Sequence, residues 1–317
     1  MEVEVRQLRM ICEIAKAGSM TRAASALGLT QPALTYQLQR VERMFGGALF
    51  VRDRRGSRPT ALGELVLNHA KTLLPSLDKL ITEAQSRTED RSPVPQVVRM
   101  AAQPTPLAAP VAQRLGELMP ETQVVLRQQR CGWDALELLA AGTLEAALLL
   151  EHPGLALPRP AGVLVHEVVT EPLFIAMATS NPLAWRGEVR LAELAGQSWI
   201  LPDDLEVRCS EYLHGICQSV GFTPTIGYRL GGSTARDVLR RGLAVMLAQA
   251  TADCGEGIAV LPITDVHTEL RHLLALAADS PVAAHGADLL AAASSGYWDE
   301  AAKARVYQRW LTRRMAV

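Results

Sequence analysis

Residues 20–58, MTRAASALGLTQPALTYQLQRVERMFGGALFVRDRRGSR, constrain this chain more than any other stretch. Their spacing predicts two helices across a tight turn, then a basic hairpin. Thr21 is suited to cap the first helix, because its hydroxyl can accept a hydrogen bond from an unpaired N–H of the first turn. Ala23, Ala24 and Leu27 follow on one face at helical spacing. Gly28 can end that helix in a left-handed conformation. Thr30 starts the next, with Pro32 in its first turn, where a missing N–H costs nothing. Leu34, Leu38, Val41 and Phe45 then form one buried stripe. The opposite face carries Gln31, Thr35, Tyr36, Gln39, Arg40 and Arg43, and is long, polar and basic.

A short helix, a glycine turn and a second helix of this kind make a helix-turn-helix, whose second helix lies in the major groove of DNA. Glutamine is suited to a two-bond contact with adenine, and arginine to guanine or phosphate. Leu49, Phe50 and Val51 read as a short strand, and Arg52, Arg54, Arg55 and Arg58 flank a turn at Gly56. Arginines on such a hairpin suit the phosphate backbone or the minor groove, as a wing beside the helix. The expected DNA-facing set is therefore Thr21, Arg22, Gln31, Pro32, Thr35, Tyr36, Gln39 and Arg40, with Arg52, Arg54, Arg55 and Arg58 on the wing. A small helical domain with a solvated basic face is the alternative; the wing and the charge balance favour double-stranded DNA.

That balance is uneven along the chain. Residues 1–60 hold ten Lys/Arg against five Asp/Glu, and the remaining residues hold 22 against 28. A basic head on an acidic body suits one module that binds DNA and another that does not. At 317 residues the chain is too long for one ordinary domain. It shows no signal-peptide pattern and no apolar run of membrane-spanning length, which predicts a cytoplasmic protein without a membrane partner. Its five cysteines are scattered and lack CxxC spacing, as reduced thiols would be.

Residues 5–17 read as a first helix, with Val5, Leu8, Ile11, Cys12 and Ala15 on its inner face. From Thr60, a plausible N-cap with Glu64 in the first turn, a long helix is expected to about residue 88. Leu62, Val66, His69, Leu73, Leu77, Leu80 and Ala84 recur along it every three or four residues, over about 42 Å. So long a stripe calls for a partner helix, although packing on its own domain is the alternative; Pro75 should kink it. SRTEDRSPVPQ (86–96) reads as a hinge.

Beyond it strands and helices alternate, as in a parallel sheet covered on both faces. Strands are expected at 97–103, 122–128, 146–150, 173–178, 199–201, 225–230, 244–247, 258–262, 270–276 and 288–292. Helices are expected at 106–119, 133–141, 206–220 and 234–241, with a closing helix over 298–314.

Residues 6–67 resemble the N-terminal domain of the LysR-type transcriptional regulators. The phrases that carry the resemblance are RQLRMICEIAKAGSMTRAASALGLTQPALTYQLQRVE and GGALFVRDRRGSRPTALGELVL. The match runs without gaps and continues more loosely to about residue 293. Where the family pattern has Ser then Arg in the middle of the recognition helix, this chain has Thr35 and Tyr36; Tyr36 cannot reproduce an arginine contact. The resemblance implies an α/β protein: a winged helix-turn-helix (1–59), a dimerising linker helix (60–88), a hinge (89–96) and an effector domain (97–317). That effector domain would hold two subdomains like those of periplasmic binding proteins, I (97–166 and 268–317) and II (167–267), with chain crossings near 165–169 and 264–269. It further implies a transcription factor bound to a two-fold-symmetric promoter site as a homodimer within a homotetramer. RNA polymerase is a further partner open to such a regulator.

A small-molecule effector is implied in the cleft between the subdomains. In open α/β sheets ligands sit beyond the carboxyl ends of strands, beside helix N-termini with free N–H groups. Gln103, Pro104 and Thr105 follow the first strand, and Cys131 and Trp133 the second. Pro202 and Asp203 follow 199–201, and Gly232 and Ser233 precede a helix. Thr105 matches best the hydroxyl residue that the family places there. Ordinary capping is the alternative for each of these residues. A thiol switch through Cys209 and Cys217 is a second reading of the domain, but eight helical residues span about 12 Å, beyond the ~7 Å limit for a disulfide. A regulator with a vestigial cleft is a third. No GxSxG, P-loop, HExxH or strand-borne GxGxxG is present, so neither enzymatic activity nor a metal or cofactor is expected.

Overall fold

The computed structural model describes residues 3–53, 56–70, 73–74, 77, 97–202 and 207–315. The chain divides into two compact units, Met1–Ser92 and Pro93–Val317.

In the first unit, α1 (Val5–Ala17), α2 (Met20–Ala26) and α3 (Gln31–Phe45) surround one apolar cluster. The buried side of α1 is Met10, Ile11 and Ile14, whereas Val5 is exposed and Leu8, Cys12 and Ala15 are half-buried. Leu8, Cys12 and Ala15 pack against that cluster beside the buried Ile11, so the expected inner face holds except at Val5, which lies in the first turn. Ser19, not Thr21, occupies the N-cap of α2, so Thr21 sits in the first turn with its side chain exposed. Gly28 takes φ 67° and Thr30 Oγ1 accepts from Ala33 N, as the turn requires. Leu34, Leu38 and Val41 are fully buried along α3.

A two-stranded wing follows, β1 (Phe50–Asp53) paired antiparallel with β2 (Gly56–Pro59). It is fixed to the helices at both ends. Glu42 on α3 accepts from Leu49 N at 2.8 Å, and Ser57 N donates to Gly18 O at 3.0 Å. A Cβ at Gly56 would lie 2.4 Å from that same carbonyl, so only glycine permits the approach.

Residues 61–70 form α4, capped by Thr60, whose Oγ1 accepts from Gly63 N at 3.0 Å. Val66, Leu67 and Ala70 are buried on the head, while Leu65 and Leu73 are 55% and 56% exposed. The expected stripe is therefore divided: Leu62 and Val66 face the head's own core, and His69 and Leu73 face outward. Pro75, Leu80, Ala84 and the hinge at 89–96 lie outside the described residues.

The second unit holds two subdomains. In the first, strands run in the order β4-β3-β5-β12-β6: β3 (Val97–Ala102), β4 (Gln123–Gln128), β5 (Ala146–Glu151), β6 (Val163–Glu171) and β12 (Leu270–Ala277). Both faces are covered, and alternate residues feed each. Val98, Met100, Ala146 and Leu148 pack with α5 (Ala108–Leu118) and α9 (Gly286–Lys303), while Ala101, Ala147 and Leu149 pack with α6 (Gly132–Ala140). The sheet is mixed rather than parallel. β12 returns from the other subdomain and pairs antiparallel with β5 and β6.

The second subdomain is built on β7 (Leu173–Ala178), flanked antiparallel by β10 (Met246–Gln249) and β11 (Ile258–Pro262). β8 (Ser198–Leu201) and β9 (Thr225–Arg229) pair parallel, with a bridge from Trp199 to Val245, and α7 (Val207–Ser219) and α8 (Gly232–Arg240) cover them. The chain crosses between sheets at Pro172, not at 165–169, since β6 stays in the first sheet to Glu171, and returns through 263–269. Thr268 joins the two crossings: its Oγ1 donates to Leu173 O at 2.8 Å and accepts from Leu173 N at 3.1 Å.

The strand expected at 288–292 is part of α9, and the closing helix is two helices, α9 and α10 (Arg305–Met315). Leu289, Ala293, Tyr297 and Ala301 recur every four residues and are buried, a helical period that the short apolar run at 288–292 does not reveal alone.

One glycine tests the packing of the head. A Cβ on Gly63 would lie 2.0 Å from Leu49 O. Gly63→Ala should therefore destabilise the first unit by about 1–3 kcal/mol despite alanine's better helix propensity. Thermal unfolding followed by circular dichroism checks this; an unchanged or raised midpoint would show that α4 is free to shift.

Candidate functional site

Two surfaces gather the residues expected to act. The first is the solvent side of α3. With Leu34, Leu38 and Val41 buried, Gln31, Pro32, Tyr36, Gln39 and Arg40 are left exposed and Thr35 half-buried. Gln37 is exposed as well and was missed, although it directly follows Tyr36. Thr21 and Arg22 are exposed on α2, and Arg58 on β2. Arg52 lies on β1; its side chain, Arg54 and Arg55 fall outside the described residues. The helix is held rigidly behind this face, because Gly46 ends it at φ 76° and Glu42 fastens it to the wing.

The second is a cavity of about 380 Å³ between the two sheets of the second unit. Gln103, Pro104, Thr105, Pro202 and Gly232 line it. Cys131, Trp133 and Ser233 are not among its described lining residues, and Asp203 lies outside those described. Cys131 and Trp133 sit at the start of α6, which packs on the far face of the first sheet. Each polar group has a distinct task. Gln103 is 4% exposed and its amide serves the backbone: Oε1 accepts from Leu150 N at 2.8 Å and Nε2 donates to Arg130 O at 3.3 Å. Thr105 Oγ1 stands 2.9 Å from His272 Nδ1, and His272 Nε2 stands 2.7 Å from Glu171 Oε1. Gln249 Nε2 donates to Pro104 O at 2.7 Å across the mouth.

Several lining groups escaped the sequence. His152 follows β5 and so obeys the same strand-end rule that selected Gln103 and Thr105. Its ring stacks on Tyr212 at 4.2 Å, its Nε2 lies 3.5 Å from Cys209 Sγ, and burial pushes its pKa down to about 4. Arg236 on α8 and Gln249 at the end of β10 also line the cavity, as do Leu155, Leu213 and Leu230. Leucines dominate the walls, which therefore favour an apolar guest.

Cys209 lines the cavity, whereas Cys217 is fully buried in the core of the second subdomain, its thiol pushed up to about 12 by burial. Both lie on the unbroken α7, which separates them by about 12 Å. A thiol held so firmly protonated is a poor nucleophile. Among the described residues no group of three or more His, Cys, Asp or Glu could hold a metal, and no helix is long and apolar enough to cross a membrane.

Comparison with known proteins follows the same division. Residues 5–64 match the bacterial regulatory helix-turn-helix protein, lysR family, and residues 93–295 match the LysR substrate binding domain. The small neutral protease regulatory protein of Streptomyces coelicolor is 32% identical over 310 residues, covering 97% of this chain and 96% of the relative. The fold is similar to that of CbnR, a LysR family transcriptional regulator, with TM-score 0.61 and 22% identity over 92% of this chain and 99% of that one. CbnR in complex with its target DNA gives TM-score 0.56 and 22% identity, over 94% and 100%.

The burial of His152 has a consequence for pH. An unfolded imidazole titrates near 6.5 and the folded one near 4, so between those values the unfolded chain holds a proton that the folded chain lacks. Stability should thus be full above about pH 6.5 and fall by about 2–3 kcal/mol as pH drops toward 4. His152→Phe keeps a ring on Tyr212 and binds no proton. Urea unfolding of both proteins across that window should show a flatter curve for the variant; parallel curves would refute the assignment.

Proposed function

Because the chain belongs to the LysR family of transcriptional regulators, we propose that α3 enters the major groove of a promoter and that a small molecule in the cleft controls the response. The observation that carries this reading is one chain joining an exposed polar and basic α3 to a unit whose sheets close on a leucine-lined cavity. Gln31, Gln39 and Arg40 offer amide and guanidinium groups to base edges, and Tyr36, 65% exposed, offers a ring and a hydroxyl. Arg58 reaches a phosphate from the wing. Such a regulator works in the cytoplasm, where the promoter is. The effector acts by binding one arrangement of the subdomains more tightly than another.

We further propose a dimer through α4. Leu65 and His69 on α4 and Leu73 beyond it are exposed and follow one another every four residues in sequence, a pattern suited to a second copy. Two such dimers would form the tetramer that the family resemblance implies.

The division of labour in the head is testable with two variants. Gln31→Ala should cost about 1–3 kcal/mol on the cognate site and relax base preference at one position per half-site. Arg58→Ala should weaken binding to every sequence and flatten the salt dependence. Gel shifts on promoter and random DNA at several salt concentrations separate these; equal losses on both DNAs for both variants would refute the proposal.

Assembly is tested by Leu73→Asp, which would place an unpaired charge in the seam. Light scattering should report a smaller particle and promoter binding should weaken. An unchanged mass would place the seam elsewhere.

A further inference from the structure

The last helix carries a charge pattern that packing does not explain. α10 holds four arginines and no acid, whereas the rest of the chain from residue 61 on holds 18 Lys/Arg against 28 Asp/Glu. One side of α10 is fixed to the second unit. Tyr307 is buried, Tyr307 and Trp310 each meet Phe174 edge-on with ring centroids 6.0 Å apart, and Gln308 Nε2 donates to Ala301 O at 2.9 Å. Arg305, Arg309 and Arg313 follow one another every four residues on the other side, and all three are exposed.

Helix energetics account for only part of this stripe. Arg313 lies in the last turn, where the helix dipole favours a cation, and it pairs with Glu188 at 3.6 Å. Arg314 lies in the same turn, 4.7 Å over the Trp310 ring. Arg305 opens the helix, where the same dipole disfavours a cation. Like charges at i and i+4 also repel, so Arg305, Arg309 and Arg313 oppose one another. Neither Arg305 nor Arg309 makes an ion pair among the described residues. Asp253 and Glu300 share a shallow groove with Arg305, but Asp253 accepts from Gly255 N at 2.9 Å and Glu300 is held by Lys303 at 2.6 Å. Two arginines are thus kept where the helix alone disfavours them.

We propose that the exposed face of α10 is a second DNA-contacting surface, which takes phosphates of the duplex outside the sequence that the head reads. This rests on the reading of the head as DNA-binding. Four residues advance a helix by about 6 Å, so the three guanidinium groups span about 12 Å. Each strand of a duplex carries one phosphate per about 3.4 Å of axis, so that span faces about three of them. Guanidinium forks suit phosphate oxygens, and contacts to phosphate need no particular base. DNA is favoured over an acidic protein because the chain itself brings it. Duplex held by the head is tethered to the second unit, and a tether raises local concentration without any new contact. An acidic body otherwise repels DNA, so a basic stripe confined to one helix also selects the side of the unit along which a duplex can pass.

The test uses one site, selected from random duplexes by the full-length protein. It is placed in a short duplex that only just covers it and in one extended on both sides by several helical turns. Wild-type protein should bind the extended duplex more tightly, with a steeper dependence on salt. Arg305→Gln/Arg309→Gln should lose two phosphate contacts there, which flattens the slope of log K against log salt by about 2. Its deficit should therefore shrink about tenfold between about 50 and about 200 mM salt. On the short duplex it should match wild type. Arg305→Lys/Arg309→Lys should keep the gain, since phosphate accepts an ammonium as a point charge. Thermal unfolding separates a structural role: the glutamine pair should melt no lower than wild type, because it removes like charges four residues apart. A lower midpoint would assign the arginines to the fold and overturn the proposal. So would a wild type that gains nothing from the extension, a glutamine pair that keeps the gain, or a lysine pair that loses it. A glutamine pair that binds both duplexes normally yet weakens transcription by purified RNA polymerase would assign the stripe to a protein partner, and overturns it too. Failure of wild type to bind even the short duplex would overturn the reading of the head itself, together with this one.

Discussion

A carboxylate that water does not reach governs the second unit. Glu171 ends β6 and immediately precedes Pro172, where the chain leaves one sheet for the other. It is bonded to His272 on β12, to Thr251 beyond β10 and to Tyr297 on α9. The two sheets and the C-terminal helices therefore meet at one side chain. A side chain so deeply buried is tolerable only when its polar atoms are hydrogen-bonded, and leaving one of them unpaired typically costs about 1–3 kcal/mol. Net stabilisation by the network does not follow, since an apolar replacement of equal volume can do as well. What the polar version supplies is direction: it fixes which strand ends lie together, and so where the cavity opens.

The head solves a related problem by different means. Its wing is too short to hold itself, since four-residue strands pair only with each other. Close approach supplies the rest. Gly56 lets the wing reach the Gly18 carbonyl, Gly63 lets α4 reach the Leu49 carbonyl, and Glu42 bonds the intervening strand from α3. Two glycines and one acid thus orient the polar face of α3 relative to the wing.

The same contrast explains what the sequence could disclose. α3 was legible because everything that defines it is local: a cap at Thr30, a proline, three buried residues in two turns, a glycine stop. Gln103 and Thr105 were legible through the strand-end rule, and the same rule reaches His152. His272 and Glu171 were not, since their bond joins positions 101 apart and the one to Thr105 spans 167. No periodicity records such a pairing. The mixed sheet was missed for the same reason, because alternation of strands and helices does not say that β12 returns antiparallel. The stripe of α4 went astray because that helix carries apolar residues on two sides, and only the packed head decides which side is inside.

The cleft is held with little force across its mouth, and this decides what can control it. The hydrogen bond from Gln249 to the Pro104 carbonyl is exposed, and bonds of that kind contribute about 1 kcal/mol net. At the crossings, by contrast, Thr268 makes two buried bonds to the Leu173 backbone, so the hinge stays paired whatever the mouth does. A guest that buries about 100 Å² of apolar surface on leucine walls gains about 2.5 kcal/mol. That exceeds the mouth's own bond, but a shift of the subdomains would also have to break the buried bonds from Thr251 to Glu171. The shift extends only as far as the ligand's affinities for the two forms differ. A guest touching the walls of one subdomain alone would bind without shifting anything.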